Sequence, residues 1–199
     1  SRQTVLTGEA TRQAAVLLKA ELDAGKTLAD LEGREFFAEY APPTDALGSD
    51  KKNPVSHVTY GYGVQVVVLD ETGKVQKVVA AYDVGTPVNI QAVEGQIEGG
   101  IVMGLGFALT EDFRTENGYP KEKLGTLGLM RSTDAPEMQV ILCESKAKND
   151  MAFGAKGCGE LAAIPTAPAC SHAYYRFDGK FRTSLPLQET FYKKPKKTV

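Results

Sequence analysis

Residues 89–113, NIQAVEGQIEGGIVMGLGFALTEDF, constrain the fold more than any other segment of the chain. Apolar residues recur at helical spacing, and Asn89 is a good N-cap for a helix starting behind it. Yet Gly95, Gly99, Gly100, Gly104 and Gly106 fall within a dozen positions, and each costs a helix about 1 kcal/mol relative to alanine. A helix carrying that load requires compensation, which close approach by another backbone or by a ligand can supply. The residues alone leave Gln96, in the middle of this crowding, open between a surface glutamine and a ligand contact.

The other elements are more ordinary. Residues 8–24 read as a helix, with Ala10, Ala14, Leu17 and Leu18 at helical spacing and Gly25 able to cap it. A helical turn is expected near residues 28–31, an edge strand over 33–40, and an exposed Pro- and Asp-rich loop over 41–54. Residues 57–70 and 74–83 are rich in β-branched side chains, and Glu71-Thr72-Gly73 between them predicts a hairpin. Residues 114–128 look irregular and 137–144 read as a strand. A helix is expected from Pro165 to Tyr175, then a last strand over 181–187. The fold class is α+β, a mixed or antiparallel sheet with helices packed on it.

With 199 residues, 42% of them hydrophobic, the chain can bury a substantial core. Its formal charge of −2 provides no basic field for nucleic acid. No apolar run approaches the roughly 20 residues of a membrane helix, and the start lacks the order of a signal peptide. Cys143, Cys158 and Cys170 form no close pair, which fits a reducing cytoplasm. His57 and His172 are far apart, so no direct metal site is expected, and any metal must arrive inside a cofactor.

GAKGCGE, residues 154–160, sets three glycines around one carboxylate just ahead of a helical pattern. Backbone amides there can face an anion or a polarised oxygen. Equally, the motif can be a tight turn whose Glu160 favours the positive end of a helix dipole.

AFGAKGCGELAAIPTA resembles the glycine–glutamate motif of the xanthine dehydrogenase and aldehyde oxidase family, the molybdenum hydroxylases. EGQIEGGIVMGLG resembles that family's Gly-Gln-Val-Glu-Gly helix, and YDVGTPVNI its Asp-Val-Gly run, in which Asp83 and Asn89 shape the loop and cap the helix. The resemblance covers residues 1–187 and is most similar to the bacterial, purine-type branch with selenium-dependent members. It implies that Glu160 is the catalytic base, taking the proton from a hydroxide ligand of molybdenum. Partial burial would keep such a base near a neutral pKa. Gln96 and Gly159 would contact the cofactor, and Ser1, Arg2, Gln3 and Thr4 would lie along the pterin, although they serve equally as a helix cap.

The resemblance further implies a molybdopterin cofactor, commonly the cytosine dinucleotide form in bacteria. The remaining half of the molybdenum-binding region, iron–sulfur clusters and FAD would belong to the rest of the enzyme. On that reading residues 1–187 are the carboxy-terminal molybdopterin-binding domain of a longer chain, inactive alone. Residues 188–199, with KKPKK at 193–197, are expected to be a disordered basic tail. Cys158 is expected to fill space and Lys156 to be solvated. Two other readings remain: a non-catalytic cofactor-binding or assembly module, and a plain α+β interaction domain whose glycines serve packing. The last is favoured if Gln96 and Glu160 lie on opposite sides of the fold.

Overall fold

The computed structural model describes residues 2–143 and 151–193, which form two compact units. The first comprises Ser1–Gly61, Val84–Val88 and Glu144–Gly157. Its helix α1, Gln3–Asp23, begins earlier than the apolar spacing predicts. The buried side chains of α1 are Val5 and Glu9, whereas Val16 and Leu17 are exposed, so its apolar carboxy-terminal half is not the half that packs. Gly25, at φ +91°, ends the helix in the left-handed conformation expected of it. A single 3-10 turn, Ala29–Leu31, follows.

Residues 33–40 form no strand. A strand needs a partner for its ladder, and this segment has none among the described residues; it is largely exposed, Phe37 included. Residues 84–88 instead meet the 151–157 loop. Lys156 N donates to the Val84 carbonyl at 3.0 Å, and Thr86 N to the Gly154 carbonyl at 2.9 Å.

The second unit comprises Tyr62–Asp83, Asn89–Cys143 and Cys158–Val199. Strands β1 (Tyr62–Leu69) and β2 (Val75–Asp83) form the expected antiparallel hairpin. Asp70 closes it: its Oδ1 accepts from Thr72 N at 2.8 Å and from Lys74 N at 3.0 Å. Gly73 takes φ +83° there. Helix α2 is Ile90–Leu109. A short ladder, β3 (Thr115–Glu116) with β4 (Tyr119–Pro120), lies within the stretch expected to be irregular. Asn117 and Gly118 supply the two positive-φ positions its turn requires.

Strand β5, Glu137–Leu142, pairs parallel with β2, giving a mixed sheet in the order β1-β2-β5. Helix α3, Thr166–Asp178, packs on β1 and α2, and the fold is α+β as the sequence predicts. The core holds Val78, Ala80 and Tyr82 of β2, Ile97, Ile101, Leu105 and Leu109 of α2, and Cys170 and Tyr174 of α3.

Residues 181–187 are not a strand. Arg182 gathers the local carbonyls instead, donating to Gln188 O and Glu189 O, both at 2.7 Å, while also pairing with Asp178 at 2.6 Å. Packing continues past Leu187: Thr190 is buried, and the Tyr192 hydroxyl accepts from Val75 N at 3.1 Å. Of the expected tail, residues 194–199 lie outside the described residues. Among the described residues no helix is long and apolar enough to cross a membrane.

Candidate functional site

Asn89 starts α2 as expected, its Oδ1 accepting from Ala92 N at 3.0 Å. The glycines of α2 then divide into two sets with different reasons for being there. A β-carbon at Gly100 would stand 2.5 Å from Ala162 Cβ, and one at Gly104 would stand 2.6 Å from Thr166 Cβ. Those two positions let the backbone segment before and into α3 lie directly on the helix. Gly95 and Gly99 have no neighbour within 4 Å of where a β-carbon would be. They border a cleft of about 350 Å³, together with Gln96, Met103, Gly159, Glu160 and Ala163.

Residues 160–166 form successive turns. Ala163 N donates to the Glu160 carbonyl at 3.1 Å and Thr166 N to the Ala163 carbonyl at 3.3 Å. Helix α3 begins at Thr166, with Pro165 as its cap, close to the start predicted at Pro165, so turns rather than a helix follow Glu160 directly. Gln96 Nε2 donates to the Gly159 carbonyl at 3.2 Å, so the glutamine on α2 and the glutamate after Gly159 border one cleft. They do not lie on opposite sides of the fold. Both side chains are exposed, and the partial burial expected for Glu160 is not supplied by this chain.

Beneath the turn, Ala162 is fully buried and its carbonyl is held twice. Tyr82 Oη donates to it at 2.9 Å, and Gln65 Nε2 donates to it at 2.9 Å and to the Tyr82 oxygen at 2.6 Å. Burial pushes the Tyr82 hydroxyl above its ordinary pKa, partly offset by the Gln65 hydrogen bond, so it remains a donor. Neither residue is singled out by the sequence motifs. The signal available was Gln65 itself, the one polar side chain in YGVQVVVL apart from the tyrosine hydroxyl.

The amino half of the glycine motif belongs to the first unit. Glu9 of α1 receives Ala152 N at 2.8 Å, Arg12 at 2.6 Å and Gln13 at 3.0 Å. The Arg12 hydrogen bond, against the opposing effect of burial, brings its carboxyl down to about 2. This anchors a loop in which Ala152 and Phe153 take positive φ values of 44° and 56°.

Lys156 is buried rather than solvated, with only 7% of its surface exposed. Cys158, in the second unit, is half-buried, and burial pushes its thiol above the ordinary pKa, as suits a packing residue. Of the segment expected along a pterin, Arg2 precedes α1 and Gln3 and Thr4 open it, all exposed and all in the first unit. Ser1 lies outside the described residues. Among those described, no group of three His, Cys, Asp or Glu side chains is placed to hold a metal ion.

A family model described as a molybdopterin cofactor-binding domain matches residues 1–136, which takes in Gln96 and stops before Glu160. The chain is 31% identical over 137 residues to a probable xanthine dehydrogenase subunit of Bacillus subtilis, covering 66% of this chain and 18% of that protein. To the aldehyde oxidoreductase of Megalodesulfovibrio gigas it is 34% identical over 179 residues, 81% of this chain and 19% of that protein. The crystal structure of the aldehyde oxidoreductase from Desulfovibrio desulfuricans superposes with a TM-score of 0.72 at 28% identity, over 87% of this chain and 20% of that one. The chain thus spans a small part of the length of the relatives it matches. Sequence and fold together make it a member of the molybdenum hydroxylase family, within that family's molybdopterin-binding part.

Proposed function

We propose that this chain forms one wall of the cofactor site of a molybdenum hydroxylase that oxidises a purine-like heterocycle or an aldehyde with oxygen taken from water. The observation that carries this reading is the Gln96–Gly159 hydrogen bond, which gathers an amide, a carboxylate and two open glycine positions around one cleft. The lining suits a pterin. Space is left where β-carbons at Gly95 and Gly99 would otherwise stand, and the Gln96 amide offers both donor and acceptor to a mixed polar edge.

Glu160 is the proton acceptor. One of its carboxylate oxygens takes the proton from the water-derived oxygen as that oxygen attacks the electron-poor substrate carbon, and later releases it to solvent. The exposure of Glu160 in this chain leaves it free to face a ligand. Gln96 orients the cofactor edge while tying its own helix to the glutamate turn. When bound, the molybdenum cofactor, as its cytosine dinucleotide, supplies the two-electron oxidation of the substrate. Iron–sulfur clusters and FAD, which would accept the electrons, would belong to the rest of the enzyme. In the first unit, Gln3 and Thr4 would offer a side-chain amide and a hydroxyl, and Arg2 a guanidinium, to such a cofactor.

The test is Glu160→Gln in the whole enzyme, assayed with a purine and an aromatic aldehyde. Loss of a general base predicts turnover lower by about a hundredfold or more with molybdenum per enzyme unchanged. Unchanged turnover at full molybdenum content ends the base assignment. Full loading without turnover in the wild type would favour a non-catalytic binding module.

A further inference from the structure

A second polar constellation lies behind the cleft, in the core of the sheet unit. Gln65 on β1 and Tyr82 on β2 are buried, and both donate to the Ala162 carbonyl at 2.9 Å. Three features converge on this one residue: the two donors, the 2.6 Å link between them, and Gly100, whose missing β-carbon lets Ala162 lie against α2. Ala162 lies within the turn closed by the Ala163 N to Glu160 O hydrogen bond. Ala162 and Glu160 thus share one hydrogen-bonded turn.

A buried glutamine is an expensive way to fill a strand position. Its Oε1 has no hydrogen-bond partner among the described residues, a desolvation loss that valine, the residue on either side of it, would avoid. What the glutamine supplies in return is a second donor, beside Tyr82, to the carbonyl of the Glu160 turn. We propose that Gln65 and Tyr82 are positioning residues, which fix the Glu160 turn against Gln96 through the Ala162 carbonyl. This rests on Glu160 being the base of the reaction.

The experiment uses the whole enzyme as Tyr82→Phe, Gln65→Leu and the double variant, each alone and combined with Glu160→Gln. Tyr82→Phe removes a single oxygen and is the variant least able to disturb folding. Kinetics use whichever purine or aldehyde the wild type oxidises, and deuterium uptake is followed in peptides covering 158–166 and 90–109. Misplacing a proton acceptor slows the reaction more than it weakens binding, so kcat falls about tenfold or more in the double variant while KM stays within about twofold. Uptake rises over 158–166 and not over 90–109, and molybdenum content is unchanged. In the Glu160→Gln background the same substitutions cost no further turnover.

Equal uptake over 158–166 in wild type and double variant overturns the proposal, as does an undiminished loss of kcat in the Glu160→Gln background. If Glu160→Gln itself leaves turnover intact, the base assignment fails separately, and exchange over 158–166 alone then decides whether Gln65 and Tyr82 fix the turn.

Discussion

Gln96 Nε2 donates to the carbonyl of Gly159, 63 positions further along the chain, at 3.2 Å. That contact is what makes a helix and a turn into one site, because it spans the cleft from α2 to the residue preceding Glu160. Its removal has separable consequences. Gln96→Leu is expected to lose one hydrogen bond to the protein and one to the cofactor, each about 0.5–1.5 kcal/mol. Molybdenum per enzyme, measured by elemental analysis, should fall several-fold with the far-ultraviolet circular dichroism unchanged. Full molybdenum content would remove Gln96 from the cofactor site.

The two sets of glycines on α2 predict opposite outcomes for the same substitution. Gly100→Ala drives a β-carbon against Ala162 and is expected to destabilise by about 1–3 kcal/mol, as overpacking does. Gly99→Ala adds a β-carbon in open space and should stabilise by about 1 kcal/mol through helix propensity. If the cleft receives the cofactor, that stabilised variant should also retain less molybdenum. Thermal melts of the cofactor-free protein beside molybdenum content of the purified enzyme check both, and equal melting shifts for the two variants would contradict the packing.

Glu9 sets a pH dependence in the first unit. Its carboxyl is lowered from the usual 4.5 to about 2 by Arg12 and the other donors. A folded-state pKa below the unfolded one stabilises fully above about pH 4.5 and is lost as the pH falls toward 2. Glu9→Gln should therefore melt lower than wild type at neutral pH, and the gap should close between about pH 4.5 and 2. Melting curves that stay parallel across that window would count against it.

Glu9 also holds the positive-φ loop through Ala152 N. Ala152→Gly would relieve backbone strain of about 1 kcal/mol at φ 44° and is expected to raise the melting temperature by a few degrees, provided Glu9 still binds the amide. In Glu9→Gln the same substitution should help less, since the anchor has already weakened. A melting temperature lowered by Ala152→Gly in the wild-type background would show that the loop is not strained.

The sequence by itself determined the hairpin, the Asn89 cap and the glycine-bearing helix, because β-branched alternation, capping chemistry and helical spacing are local and survive in any tertiary setting. The two motifs were legible for the same reason: GQIEGG and GAKGCGE are contiguous. Tertiary structure decided which face of β1 turns inward. Val64, Val66 and Val68 are exposed while Gln65 and Val67 are buried, so the inward face includes the strand's glutamine, which the apolar run in YGVQVVVL does not predict. The reason is that pairing with β2 sets Gln65 beside the Tyr82 side of the sheet, where the Ala162 carbonyl needs a donor. Likewise, the division of the glycines into packing positions and cleft positions depends on where Ala162 and Thr166 come to rest, and only long-range contacts fix that.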